Sequence, residues 1–273
     1  MTATITAADV NKLRTITGAG MMDCKKALTE TNGDFEAAID LLRKKGQKVA
    51  ANRSDRDAKE GLVIAKTNGG RGILVVLNCE TDFVAKNEDF GKTADAFAQL
   101  ALDKSPADLA ALLALPFEGV TIGEKVVEMV GRIGEKLEIS KYEQVSAATV
   151  VAYNHPGNKL ACIVGFNKAV ADEVSKNVAM QVAAMAPVAV DKADVDTTTL
   201  ERELEIAREQ TRAEGKAEDM VEKIAQGKLN KFYKESTLLN QEFIKDGKLS
   251  IRQYLQNSDK ELTVTGFKRI VLG

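Results

Sequence analysis

The sequence predicts an α+β protein: a small three-helix N-terminal module, two related α+β subdomains, and an inserted antiparallel coiled-coil hairpin. Three observations carry this expectation. Helical spacing of apolar residues dominates the first fifty positions. A strand–turn–strand pattern followed by a helix occurs twice, over 62–102 and again over 149–185. A long charged helical stretch then interrupts the second copy before its last strand. With 273 residues, 44% of them hydrophobic, the chain can build two or three compartments.

The first helix places Val10, Leu13 and Ile16 at helical spacing and stops at Thr17-Gly18-Ala19-Gly20. A second spans 21–31 and ends at Asn32-Gly33. Asp34 then caps a third that carries Phe35, Ala38, Ile39 and Leu42. Together they form a module over residues 1–50, whose core is marginal alone. Met21 and Met22 stand side by side at a helix start. Neighbours lie about 100° apart around the axis, so both cannot face one core. One is expected at the surface, where Met is an adaptable contact residue; the plainer reading leaves the other buried and Lys25 and Lys26 merely solvated. The polar stretch 46–61 lacks apolar periodicity and reads as a linker with some helical character, the linker proper being 51–60. It would let the small module sit apart.

From Leu62 the pattern changes. Leu62-Val63-Ile64-Ala65-Lys66, the turn Thr67-Asn68-Gly69-Gly70 and Ile73-Leu74-Val75-Val76-Leu77 make a β-hairpin. A helix with Phe90, Ala94, Phe97, Leu100 and Ala101 packs on it. Leu137 and Ile139 alternate as a third strand would, closing a subdomain over 61–141. Residues 149–153, the turn Asn154-His155-Pro156-Gly157-Asn158 and residues 160–164 match the first hairpin without gaps. A helix over 169–185 follows, and residues 262–267 close the second subdomain, which occupies 142–190 and 236–273. Between them, 191–235 reads as the hairpin insertion. Leu200, Leu204 and Ala207 stripe a helix over 194–213, and Met220, Ile224 and Phe232 another over 216–235.

The repeat supplies an internal control. Asp82 and Phe83 fall at the strand-to-helix junction of the first copy, where loops carry function on rigid supports. The second copy has Ala169 and Val170 there. A lone Phe can fold back into its own core. Because the second copy does without acid or aromatic, Phe83 is instead expected to project outward.

Composition excludes several classes. Lys plus Arg number 38 and Asp plus Glu 40, for a net charge of −2, so no global basic field exists to hold nucleic acid. There is no Trp, which argues against base-stacking platforms. No apolar run approaches the roughly 20 residues that cross a bilayer. The start Met1-Thr2-Ala3-Thr4-Ile5 is not a signal peptide. Cys24, Cys79 and Cys162 form neither a disulfide framework nor a zinc spacing, so a reducing, cytoplasmic setting is expected, with no cofactor. Gly91-Lys92-Thr93 imitates a phosphate loop but has Lys86 where a Gly is required and lies within a helix. Gly18-Ala19-Gly20 follows a helix, not a strand, and reads as a turn. His155 is the sole imidazole, so no Ser-His or Cys-His pair is supported. An enzyme is not expected.

Thr17-Gly18-Ala19-Gly20-Met21-Met22-Asp23-Cys24-Lys25-Lys26-Ala27-Leu28 and Thr81-Asp82-Phe83-Val84-Ala85-Lys86 together resemble the bacterial elongation factor Ts family. The order of module, duplicated body and inserted hairpin is similar too, so the likeness spans nearly the whole chain. It implies a guanine-nucleotide exchange factor whose partner is elongation factor Tu. The family's N-terminal module, similar to ubiquitin-associated domains, docks on the partner's nucleotide domain; here that implies Arg14, Met21, Met22 and Lys25. Its TDFV loop, here Thr81, Asp82, Phe83 and Val84, intrudes near the bound magnesium. A second contact implies Ile133 and Gly134, followed by Glu135, and the His of the second hairpin is matched by His155. The inserted hairpin of the family reaches the partner's far side and can pair two factors. The family often continues into a C-terminal helix, whereas this sequence stops at Val271-Leu272-Gly273. The competing expectation is a polypeptide-binding adaptor that uses the N-terminal Met loop as a groove.

Overall fold

The computed structural model describes residues 4–273. The expectation about a signal peptide rests largely on Met1-Thr2-Ala3, which lie outside them. The chain divides into two compact units. The first holds the described residues up to Ile64 together with Val75–Tyr142 and Leu272–Gly273, and the second holds Ala65–Leu74 and Glu143–Val271.

In the first unit, Thr6 and Asp9 form a capping box at the start of α1 (Ala7–Thr17). The Asp9 N–H donates to the Thr6 hydroxyl at 3.2 Å, and the Thr6 N–H donates to the Asp9 carboxylate at 3.0 Å. Such a cap contributes about 1 kcal/mol. α2 (Met21–Glu30) and α3 (Phe35–Ala51) follow, with Asp34 capping α3 as expected. Their core is Val10, Leu13, Cys24, Ala27, Leu28 and Ala38. Ile16 is not part of it but 56% exposed. Steps of three residues drift about 60° each around a helix, so the third residue of that series has left the buried stripe.

β1 (Glu60–Thr67) and β2 (Arg71–Cys79) form the expected hairpin. Gly61 is required within it: at φ 140°, an added Cβ would lie 2.2 Å from the Leu77 carbonyl oxygen. A short turn of helix, α4 (Asp82–Ala85), leads into α5 (Glu88–Lys104), capped by Asn87. α5 buries Phe90, Ala94, Phe97, Ala98, Ala101 and Leu102. Then come α6 (Leu109–Leu113), a small β3 (Pro116–Phe117) and β4 (Val120–Thr121) ribbon, α7 (Ile122–Ile133) and β5 (Glu138–Ser146). The sheet has the order β1-β2-β5.

The start of the polar stretch 46–61 is helical, since α3 runs to Ala51. α3 continues through Gly46 because that residue meets α7: a Cβ on Gly131 would lie 2.8 Å from the Gly46 Cα. Two facing glycines allow this close helix approach, and the three-helix module is therefore packed on α7 instead of standing apart.

In the second unit, β6 (Thr149–Asn154) and β7 (Leu160–Phe166) form the second hairpin, followed by α8 (Asp172–Met185). The insertion consists of α9 (Thr197–Ala213) and α10 (Glu218–Ser236). None of the three residues expected to stripe α10 is buried, and Ile224 and Phe232 are half-buried. Val221, Ala225 and Leu229 are buried, while Met220 is 43% exposed. Small Ala225 faces in, which suits close packing with Ala207 and Thr211 of α9. The β8 (Glu242–Phe243) and β9 (Asp246–Ser250) ribbon, α11 (Ile251–Ser258) and β10 (Val264–Val271) complete the chain. The closing strand begins at Val264, two residues after its expected start, and runs on to Val271. The sheet order is β10-β7-β6, with Phe267 and Val151 both opposite Val164. In both sheets the second hairpin strand is central.

Candidate partner-binding site

Leaving β2, the chain turns at Glu80 and Thr81. Thr81 is extended (φ −121°, ψ 154°), and its hydroxyl accepts the Val84 N–H at 3.4 Å, capping α4. Behind the turn, the Cys79 thiol donates to the Thr81 carbonyl at 3.1 Å. Burial, and then the Glu135 and Glu60 carboxylates, push that thiol up to about 12. Cys79 is thus a structural, protonated group. Ala85 is buried and anchors the turn's far end. Asp82 accepts from the Lys86 ammonium at 2.6 Å along the same helical face. Phe83 is 82% exposed, the outward aspect expected from the second copy. Val170, its counterpart there, packs against the second unit's core.

The structure brings the Ile133-Gly134-Glu135 stretch onto this turn. Gly134 ends α7 in the left-handed region (φ 82°), its N–H donating to the Val130 carbonyl at 2.8 Å. Glu135 then reaches the loop. The Glu80 N–H (3.1 Å) and Thr81 N–H (3.0 Å) donate to its Oε2, and the Thr81 hydroxyl donates to its Oε1 at 2.6 Å. Glu80 reciprocates: its Oε1 accepts the Lys136 N–H at 2.6 Å and the Arg53 guanidinium at 2.8 Å. The Arg56 guanidinium donates to Oε2 at 3.4 Å. The Lys136 N–H, followed by the guanidinium charges, holds the Glu80 carboxyl below the usual carboxylate range, although partial burial works the other way. The Lys136 ammonium adds bonds to the Ser54 and Arg56 carbonyls. Three segments distant in sequence are thereby knotted together.

The model of the family described as elongation factor TS matches residues 80–273. An elongation factor Ts of Flavobacterium psychrophilum is 55% identical, with 99% of this chain and 100% of that protein covered. Elongation factors Ts of Cytophaga hutchinsonii (54%; 99% and 99%) and Porphyromonas gingivalis (51%; 98% and 98%) are similar over the same extent. The chain belongs to the elongation factor Ts family. Its role is that of a translation elongation factor, and its α+β architecture fits that family. Among the described residues, no helix is long and apolar enough to cross a membrane.

In this member of the elongation factor Ts family, the remaining residues expected at the interface are surface groups. Arg14 lies in the last turn of α1 and Lys25 in α2, both exposed. Met21 and Met22 are both exposed, 51% and 74%, where adjacency alone required only one to be. Ile133 and Gly134 are half-buried. His155, in the second unit, is exposed at the hairpin turn, its Nδ1 3.0 Å from the Tyr153 hydroxyl. The residues that sequence reasoning passed over are Glu80, Arg53 and Arg56. Each is one charge among many, and no spacing marks it.

Proposed function

We propose that this chain is a guanine-nucleotide exchange factor that promotes GDP release from elongation factor Tu, with Phe83 wedged near the nucleotide's magnesium site. The supporting observation is a large aromatic ring held in solvent on a tightly hydrogen-bonded turn, at a position where the duplicated half packs a half-buried valine against its core. Aromatic rings in water are favoured interface anchors. Burying such a ring in a partner slot gains about 1.5–3 kcal/mol. If the slot opens only when the partner's phosphate loop and magnesium ligands shift, factor and nucleotide oppose each other. Linkage makes the opposition reciprocal, so nucleotide also releases the factor. Asp82 would add negative charge beside phosphate, tempered by Lys86. No bond is made or broken, so the activity is binding and displacement instead of catalysis.

Residues 1–50, with Arg14, Met21, Met22 and Lys25 on their surface, would dock on the partner's nucleotide domain. Ile133, Gly134 and His155 would supply further contacts. The hairpin of α9 and α10 would reach a separate face of the partner or pair two copies. The test is release of labelled GDP from elongation factor Tu. Phe83→Ala should slow the stimulated release by about ten- to a hundredfold; unchanged release removes Phe83 from the mechanism. The exposed Met21 and Met22 also suit a polypeptide-binding adaptor. A pull-down of unfolded chains that survives excess GDP would favour that reading.

A further inference from the structure

Nothing in its own packing aims Phe83. The ring is exposed, and the ion pair of Asp82 with Lys86 lies within the same turn of helix. On the far side the turn is anchored by Ala85, and on the near side by Glu135. Both oxygens of that carboxylate are used. One takes two consecutive N–H groups at the point where strand becomes helix, and the other takes the Thr81 hydroxyl proton. A hydroxyl has one proton and two lone pairs. With its proton committed to Glu135, Thr81 presents a lone pair to the Val84 N–H, the residue after Phe83. The direction of the cap is therefore set from outside the loop, by a residue 54 positions along the chain.

We propose that Glu135 is a positioning residue for nucleotide exchange: its carboxylate fixes the turn that carries Phe83 and so sets where the ring enters the partner. This rests on reading Phe83 as the exchange wedge. A carboxylate suits the task because all three groups facing it are donors. Glutamine would either turn an N–H against the two backbone donors or make the Thr81 hydroxyl accept, freeing the proton that sets the direction of the cap. Glu80 bonds in the opposite sense, to the Lys136 N–H, so each acid holds backbone N–H groups of the segment that carries the other. The turn cannot swing without breaking bonds in both directions.

GDP release from elongation factor Tu is to be followed against factor concentration for wild type, Phe83→Ala, Glu135→Ala and the double variant. Glu135→Ala is expected to lower the release rate at saturating factor by on the order of tenfold, because a misplaced group loses its orientation. The half-saturating concentration should move little, since the other surfaces are intact. The double variant should be no slower than Phe83→Ala alone, the non-additivity of residues acting through one another. In the free factor, the Val84 and Ala85 amides should exchange with deuterium faster than in wild type. If Glu135→Ala does not fold, Glu135→Gln carries the same comparison with a smaller deficit. An undiminished saturating rate, unchanged Val84 protection, or a deficit that adds in full to that of Phe83→Ala overturns the positioning role while leaving the wedge in place. A Phe83→Ala factor as fast as wild type overturns the wedge itself and this inference with it.

Discussion

Phe83 and Val170 hold matching places in two copies of one hairpin pattern and do opposite things. The valine helps fill a core; the phenylalanine stands in water. Their substitutions should part accordingly. Phe83→Ala should leave the thermal midpoint within about 1 °C of wild type, as surface changes typically fall within ±0.5 kcal/mol. Val170→Ala should cost about 1 kcal/mol. Paired melting curves decide this, and a large loss in Phe83→Ala would mean that the ring serves the fold. Cys79 offers a second check at this scale. Its thiol, pushed up to about 12 by burial and then by two carboxylates, should be thiolate in only about one molecule in ten thousand at pH 8. Cys24 and Cys162 are buried as well. Ellman's reagent should therefore find no rapidly reacting thiol until the chain is unfolded, and a fast native reaction would show the turn behind Phe83 to be open.

Helix α3 meets α7 at a pair of glycines, and the two are not equivalent. A Cβ on Gly131 would lie 2.8 Å from the Gly46 Cα, a backbone atom that cannot yield; one on Gly46 would lie 3.3 Å from the Val127 carbonyl oxygen. Alanine gains about 1 kcal/mol over glycine in a helix interior. Gly46→Ala should come out near neutral, whereas Gly131→Ala should lose about 1–3 kcal/mol from overpacking. Urea unfolding of the two variants checks the order. The Glu80 knot gives a prediction in pH. Its folded carboxyl is held below the ordinary 4.5, so its contribution is complete above that value and disappears as pH falls toward the folded pKa. Glu80→Gln should therefore be less stable than wild type by about 1 kcal/mol at pH 7, with the gap closing below about pH 4. A gap that widens in acid would reverse the assignment. The helices themselves were legible from their caps and spacing, Asp34 and Asn32-Gly33 among them. The extension of α3 past Gly46 was not, because a glycine reads as a breaker until its packing partner is known.

Across the whole chain, what could be read in advance was the local pattern: two hairpins, each with a helix, and a charged hairpin inserted in the second. What could not be read was long-range closure. Nothing in the sequence around Glu135 indicates that it grips a loop 54 residues earlier; only the folding of α5, α6 and α7 between them makes that bond. The insertion shows the same kind of closure in the second unit. The Val188 N–H donates to the Ser236 carbonyl at 2.8 Å, and the Leu238 and Leu239 N–H groups donate to Ala189 and Val190, each at 2.9 Å. The chain is thus zipped shut where the hairpin leaves and returns. Beyond that base, α9 and α10 face each other through Ala207, Thr211, Val221, Ala225 and Leu229. Arg208–Glu222 (2.9 Å), Arg212–Glu218 (3.1 Å) and Lys228–Glu214 (2.7 Å) bridge them at their surface. Exposed pairs of this kind add little stability, so the hairpin's own apolar seam holds it together. An arm sealed at its root should be removable. Replacing residues 201–231 by a short Gly–Ser linker should shift the unfolding midpoint of the remainder by no more than a few degrees. If the arm touches elongation factor Tu, the shortened chain should need more factor for half-maximal GDP release while reaching a similar rate at saturation, because Phe83 is untouched. Loss of cooperative unfolding in the shortened chain would show instead that the arm is part of the second unit's core.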